Sequence, residues 1–86
     1  MKLKQEFVLR QVAGEYVLIP IMKKNDSFSG VITLNETGVF IWKLLENGAS
    51  REEILAALLE EYDVTQEHAE KNLDDFCANL QKLDIL

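Results

Sequence analysis

His68 and Cys77 supply the only imidazole and the only thiol of this 86-residue chain, the side chains most often used to ligate a metal or to pair a base with a nucleophile. A metal site takes about three or four such ligands. The two are read here as a surface histidine and a thiol on the flank of a core helix. No glycine-rich phosphate cradle occurs, spacing recommends no Ser/His/Asp or Cys/His constellation, and the carboxylates stand in surface runs rather than singly among apolar neighbours. The residue types therefore argue against an enzyme: no catalytic residue, no metal ligand and no cofactor are expected.

What remains is the chemistry of the backbone. Gly30 to Leu45, GVITLNETGVFIWKLL, joins a β-branched strand to an apolar helix with almost no linker. Asn35 is the joint, because its side chain can accept from the free amides of the first helical turn, which keeps the chain extended up to that point. A strand over Gly30, Val31, Ile32, Thr33 and Leu34, placed at a sheet edge, would offer a row of donors and acceptors that a second polypeptide can complete.

The elements that position this strand follow from periodicity. Phe7 and Leu9 alternate with Val8, Arg10 and Val12, and the pattern resumes after Ala13-Gly14 in Tyr16 to Ile21, which predicts a hairpin of strands over about 6–12 and 15–21. Pro20 lacks a ladder donor and belongs near the end of its strand. Lys23 to Ser27 reads as a loop leading to the third strand, 30–34. Three helices are predicted over about 36–47, 51–62 and 66–82. The apolar residues of the first, Phe40, Ile41, Trp42, Leu44 and Leu45, cover an arc too wide for one buried face, so that helix is expected to be sandwiched. Asn47-Gly48 is its expected left-handed end, and Ser50 with Glu53 forms a capping box for the second. The second helix should bury Ile54, Leu55, Leu58, Leu59 and Tyr62. The third, capped by Thr65, should bury Ala69, Leu73, Phe76, Leu80 and Leu83. The sum is a single α+β domain over 1–86, a three-stranded antiparallel sheet followed by three helices in the winged helix-turn-helix manner.

Charge narrows the partners. Residues 1 to 34 carry five Lys or Arg against three acids, net +2, whereas residues 35 to 86 carry four against twelve, net −8. A duplex-binding domain needs cations on the element that meets the phosphates, and here the helical part is the acidic part. A winged-helix DNA-binding regulator is accordingly the lesser alternative. No apolar run approaches the roughly twenty residues that cross a bilayer, and the lone cysteine fits a reducing compartment, so a cytoplasmic protein is expected.

Gly14-Glu-Tyr-Val-Leu-Ile-Pro20, Gly30-Val-Ile-Thr-Leu-Asn-Glu-Thr-Gly38, Ile41-Trp-Lys-Leu-Leu45 and Leu59-Glu-Glu-Tyr-Asp-Val64 together resemble the PqqD family, named for the pyrroloquinoline quinone biosynthesis protein D. The resemblance implies a recognition element for ribosomally made, later modified peptides. Such a protein holds the precursor's leader and presents the remainder to a modifying enzyme, often a radical S-adenosylmethionine (SAM) maturase. It further implies that the leader adds a strand beside Gly30, Val31, Ile32, Thr33 and Leu34, against a wall of the third helix around Leu73, Phe76, Cys77 and Leu80. The product is not thereby pyrroloquinoline quinone, since many peptide pathways use the same module.

Two further expectations concern the same region. Glu70, Asp74 and Gln81 share the helical flank of Cys77, where a basic ligand residue could be steered, although a solvated acidic face is the simpler reading. The strand edge could also serve a structural adaptor or a homodimer, with one copy pairing to another and covering the leader site.

Overall fold

Ala13 and Gly14 both take positive φ, 51° and 82°, the backbone of a two-residue hairpin turn whose twist matches the flanking strands. The turn joins β1, Phe7–Val12, to β2, Glu15–Pro20, in antiparallel register from Val12 opposite Glu15 to Phe7 opposite Pro20. β3, Ile32–Leu34, lies against β2, with Tyr16 opposite Leu34 and Leu18 opposite Ile32. The sheet order is β1-β2-β3. The computed structural model describes every residue except 25 and 27, so part of the expected Lys23 to Ser27 loop lies outside the described residues.

β3 is shorter than the expected 30–34, and Pro20 supplies the reason. The Ile21 amide donates to the Glu6 carbonyl at 3.0 Å, so odd-numbered residues of β2 turn their backbone groups toward β1 and even-numbered ones toward β3. Continuing the β2–β3 register by two residues would set Gly30 opposite Pro20, where the even-numbered partner has no N–H to give. The ladder therefore begins at Ile32.

Three helices follow: α1, Glu36–Glu46; α2, Arg51–Glu61; and α3, Gln66–Lys82. Each starts on the residue expected. Asn35 accepts from Gly38 N–H, Ser50 and Glu53 bond reciprocally in a full capping box, and Thr65 accepts from His68 N–H. α1 ends with Gly48 at positive φ and with Ala49 N–H returning to Leu44 C=O at 3.0 Å. α3 ends in the same reversal, but with Asp84 at φ 60°: the Ile85 amide returns to Leu80 C=O at 2.9 Å. That reversal buries Ile85 completely and turns Leu83 outward, 38% exposed, against the expectation that Leu83 would be core.

Burial explains the layering. Phe7, Leu18 and Leu34 of the sheet meet Val39, Ile41, Trp42 and Leu45 of α1, and Ile54, Leu58, Ala69, Leu73 and Leu80 close the other side. α1 is sandwiched, as its wide apolar arc requires: Trp42 stands edge-on to Phe7 at 5.5 Å on one side and Phe40 edge-on to Tyr62 at 5.5 Å on the other. Leu59 leaves the expected stripe of α2 and is 37% exposed. Removing these apolar surfaces from water, at about 25 cal/mol per Å², is what holds the helices on the sheet.

Candidate functional site

β3 pairs with β2 alone, so among the described residues its second side is an open edge. Antiparallel alternation says which groups that edge offers. Ile32 and Leu34 face β2 with their N–H and C=O, which leaves Thr33, and Val31 by the same alternation, to direct theirs outward. The side chains alternate in the other sense. Leu34 is buried and Ile32 packs on the core, while Thr33 is exposed and Val31 is 64% exposed.

Beside this edge the chain leaves α1 a place for another ring. A Cβ built on Gly38 would stand 3.3 Å from Phe76 Cε1, 3.4 Å from Leu34 Cβ and 3.2 Å from Asn35 Oδ1. Any larger residue would make Phe76 of α3 or its neighbours give way by a few tenths of an ångström at the junction of β3 and α1. The half-buried Phe76 ring therefore stands next to the end of the open strand, a polarisable apolar surface beside unpaired main chain. A hollow of about 560 Å³, lined by Thr33, Leu34, Asn35, Glu36 and residues 14–16 of the hairpin, continues from that end of β3.

The other expected wall residues go elsewhere. Leu73 and Leu80 are 0% and 2% exposed within the core, so they support the wall from behind. Cys77, half-buried, turns its sulfur toward Met1 Sδ at 3.9 Å, about 100° around the helix from Phe76. Burial, with the Asp74 charge added, pushes its thiol pKa up. Asp74 on that flank is held by a forked Arg51 at 3.0 to 3.1 Å, and the pairing raises the guanidinium pKa. The acidic flank thus faces α2 and not the open strand. Gly38 was not singled out as a site residue from sequence, although its place three residues after the Asn35 cap on an otherwise apolar helix was a readable sign of close approach.

Among the described residues no group of three or more His, Cys, Asp or Glu side chains comes together. Two cations near α3, Arg51 and Lys71, are taken up by Asp74 and Asp75 at 3.0 and 2.8 Å, which leaves a recognition helix with an acidic surface. No helix among the described residues is long and apolar enough to cross a membrane. A second hollow, of about 540 Å³, lies between residues 1–7 and the Trp42 and Leu45 side of α1, and none of the expected site residues lines it.

Comparison with known proteins agrees with this architecture. TbiB1 in complex with the TbiA(beta) leader peptide is 31% identical, with 100% of this chain and 94% of that chain covered at a TM-score of 0.78. Lasso peptide synthetase B1 complexed with the leader peptide is 23% identical, with 98% and 93% covered at a TM-score of 0.75, a likeness of fold. Among curated proteins none matches. The family model described as coenzyme PQQ synthesis protein D (PqqD) matches residues 15–86, a span that holds β2, the open strand and all three helices, and the chain is a member of the PqqD family.

Proposed function

We propose that this protein is a non-catalytic carrier in the cytoplasm. It takes up the leader of a ribosomally made precursor peptide as a fourth strand beside β3 and presents the peptide to a modifying enzyme. The observation that carries the reading is the open edge of β3 next to Phe76, a strand paired on one side only, with an apolar wall at its end. Membership of the PqqD family supports it, and so do the leader peptides bound to the two similar structures. The enzyme served is a peptide maturase, of the radical SAM kind on the family resemblance.

Energetics decide what the leader must contain. Main-chain hydrogen bonds give about 0.5 to 1.5 kcal/mol net each, and ordering each residue costs about 1 to 2 kcal/mol of backbone entropy. The ladder alone does not bind. The surplus comes from apolar side chains packing beside Ile32, Leu34 and Phe76, and alternate residues of an added strand face that side. Leu73, Leu80 and Cys77 act through the wall that carries Phe76.

The test is a titration with a synthetic leader bearing Leu, Ile or Phe at alternate positions, beside one in which those residues are serine. The first binds and the second loses most of the affinity. Equal binding of both would refute the groove.

A further inference from the structure

An antiparallel sheet with one face on the core normally turns polar side chains outward. This one does not. Val8 lies across from Ile19, and continuing the β2–β3 register by one residue sets Val31 on the other side of Ile19. The next row is Arg10, Val17 and Thr33, and Val12 follows toward the hairpin, opposite the exposed Glu15. Val31, Val12 and Ile19 are 64%, 55% and 39% exposed, although β-branched residues on one contiguous face gain nothing from water. Contiguous exposed apolar surface of this kind marks a protein contact.

Resting on the leader reading above, we propose that this outward face of the sheet is the docking surface for the peptide-modifying enzyme, which meets it with apolar side chains and a carboxylate for Arg10. Arg10 shapes the chemistry of the partner, and the leader edge selects which partner it is. The Arg10 guanidinium bonds only the neighbouring Leu9 carbonyl, at 3.3 Å, and among the described residues no carboxylate pairs with it. Glu15 is exposed on the same face, opposite Val12, so the face carries one charge of each sign, and pairing with a second copy is an outcome of the experiment below. The face is also continuous with the leader edge. A strand added beside β3 lays its own outward side chains next to Val31 and Thr33, so carrier and peptide form one surface and the enzyme binds the loaded carrier more tightly than the empty one.

The experiment uses the full chain with Val12→Thr and Ile19→Thr, which keep β-branched residues in the strands, and separately with Arg10→Glu. Leader affinity is measured by fluorescence anisotropy, and precursor modification is followed with the maturase that acts on the same precursor, at limiting carrier. Leader affinity should stay within about twofold, while the carrier concentration for half-maximal modification rises about tenfold or more, the loss of one or two interface anchors. Unchanged modification by both variants overturns the docking face and leaves the leader reading standing. Leader affinity lost with an unchanged melting temperature also overturns it, because the face would then belong to the peptide site. A wild-type dimer in sedimentation that the double variant converts to monomer assigns the face to a second copy and overturns it as well. Failure of the wild-type chain to bind any leader is the separate failure of the proposed function, and the docking inference falls with it.

Discussion

Phe76 and Leu73 sit three residues apart on α3 and divide the two jobs of that helix. Phe76 is half-buried with its ring at the Gly38 junction, while Leu73 has no exposed surface. Phe76→Ala should therefore weaken leader binding by about ten- to a hundredfold, from about 1 to 3 kcal/mol of lost burial, with a small change in melting temperature. Leu73→Ala should instead cost about 2 to 5 kcal/mol of stability as a core cavity, read by denaturant unfolding. If Phe76→Ala binds like the wild type, the ring is ordinary core and the wall lies elsewhere. Cys77 gives a third readout. Its raised thiol pKa and partial burial predict alkylation at neutral pH slower than that of a small free thiol, sped by urea; reaction at the free-thiol rate would contradict this. A helical wheel shows that Leu73, Phe76, Cys77 and Leu80 lie toward one side of α3. It does not show which of them meets the strand, because that depends on how the Arg51 fork and the missing side chain at Gly38 set the helix's rotation.

At the scale of elements, the starts of the helices were the most legible part of the chain, because a cap is a local bargain between a side chain and the next turn. Asn35, Ser50 and Thr65 all hold the positions their types announced. The capping box also titrates. Bonds from Ser50 hold the Glu53 carboxyl below the usual carboxylate range, so its contribution is present above the ordinary glutamate pKa and is lost as pH falls through the lowered folded value. Thermal melts of Glu53→Gln against wild type should converge in acid and separate toward neutrality. A difference that is the same at every pH would contradict the assignment. The start of β3 was less legible. Pro20 was read as a strand end, but its effect on Gly30 appears only once the register sets the two opposite each other. Leu83 and Leu59 were misplaced for a similar reason: periodicity continues through a helix end or an outer flank, and only packing shows where the core stops.

Taken whole, the molecule is a sheet with two edges and an acidic helical layer. The net charge of −6 and the pairing of Arg51 and Lys71 with aspartates of α3 predict no mobility shift with random duplex DNA at low salt, since such binding is dominated by phosphate contacts; a shift that salt abolishes would revive the regulator reading. β1 is the competing edge. Pairing of its even-numbered residues with β2 leaves Leu9 and Gln11 to face outward, so the choice between edges can be read amide by amide. The most direct measurement is hydrogen exchange at single residues, with and without a saturating leader. The Ile32 and Leu34 amides should be protected already by β2, and Thr33, with Val31, should become protected only when the leader binds. Protection that arrives at Leu9 and Gln11 while Thr33 goes on exchanging freely would contradict strand addition at β3.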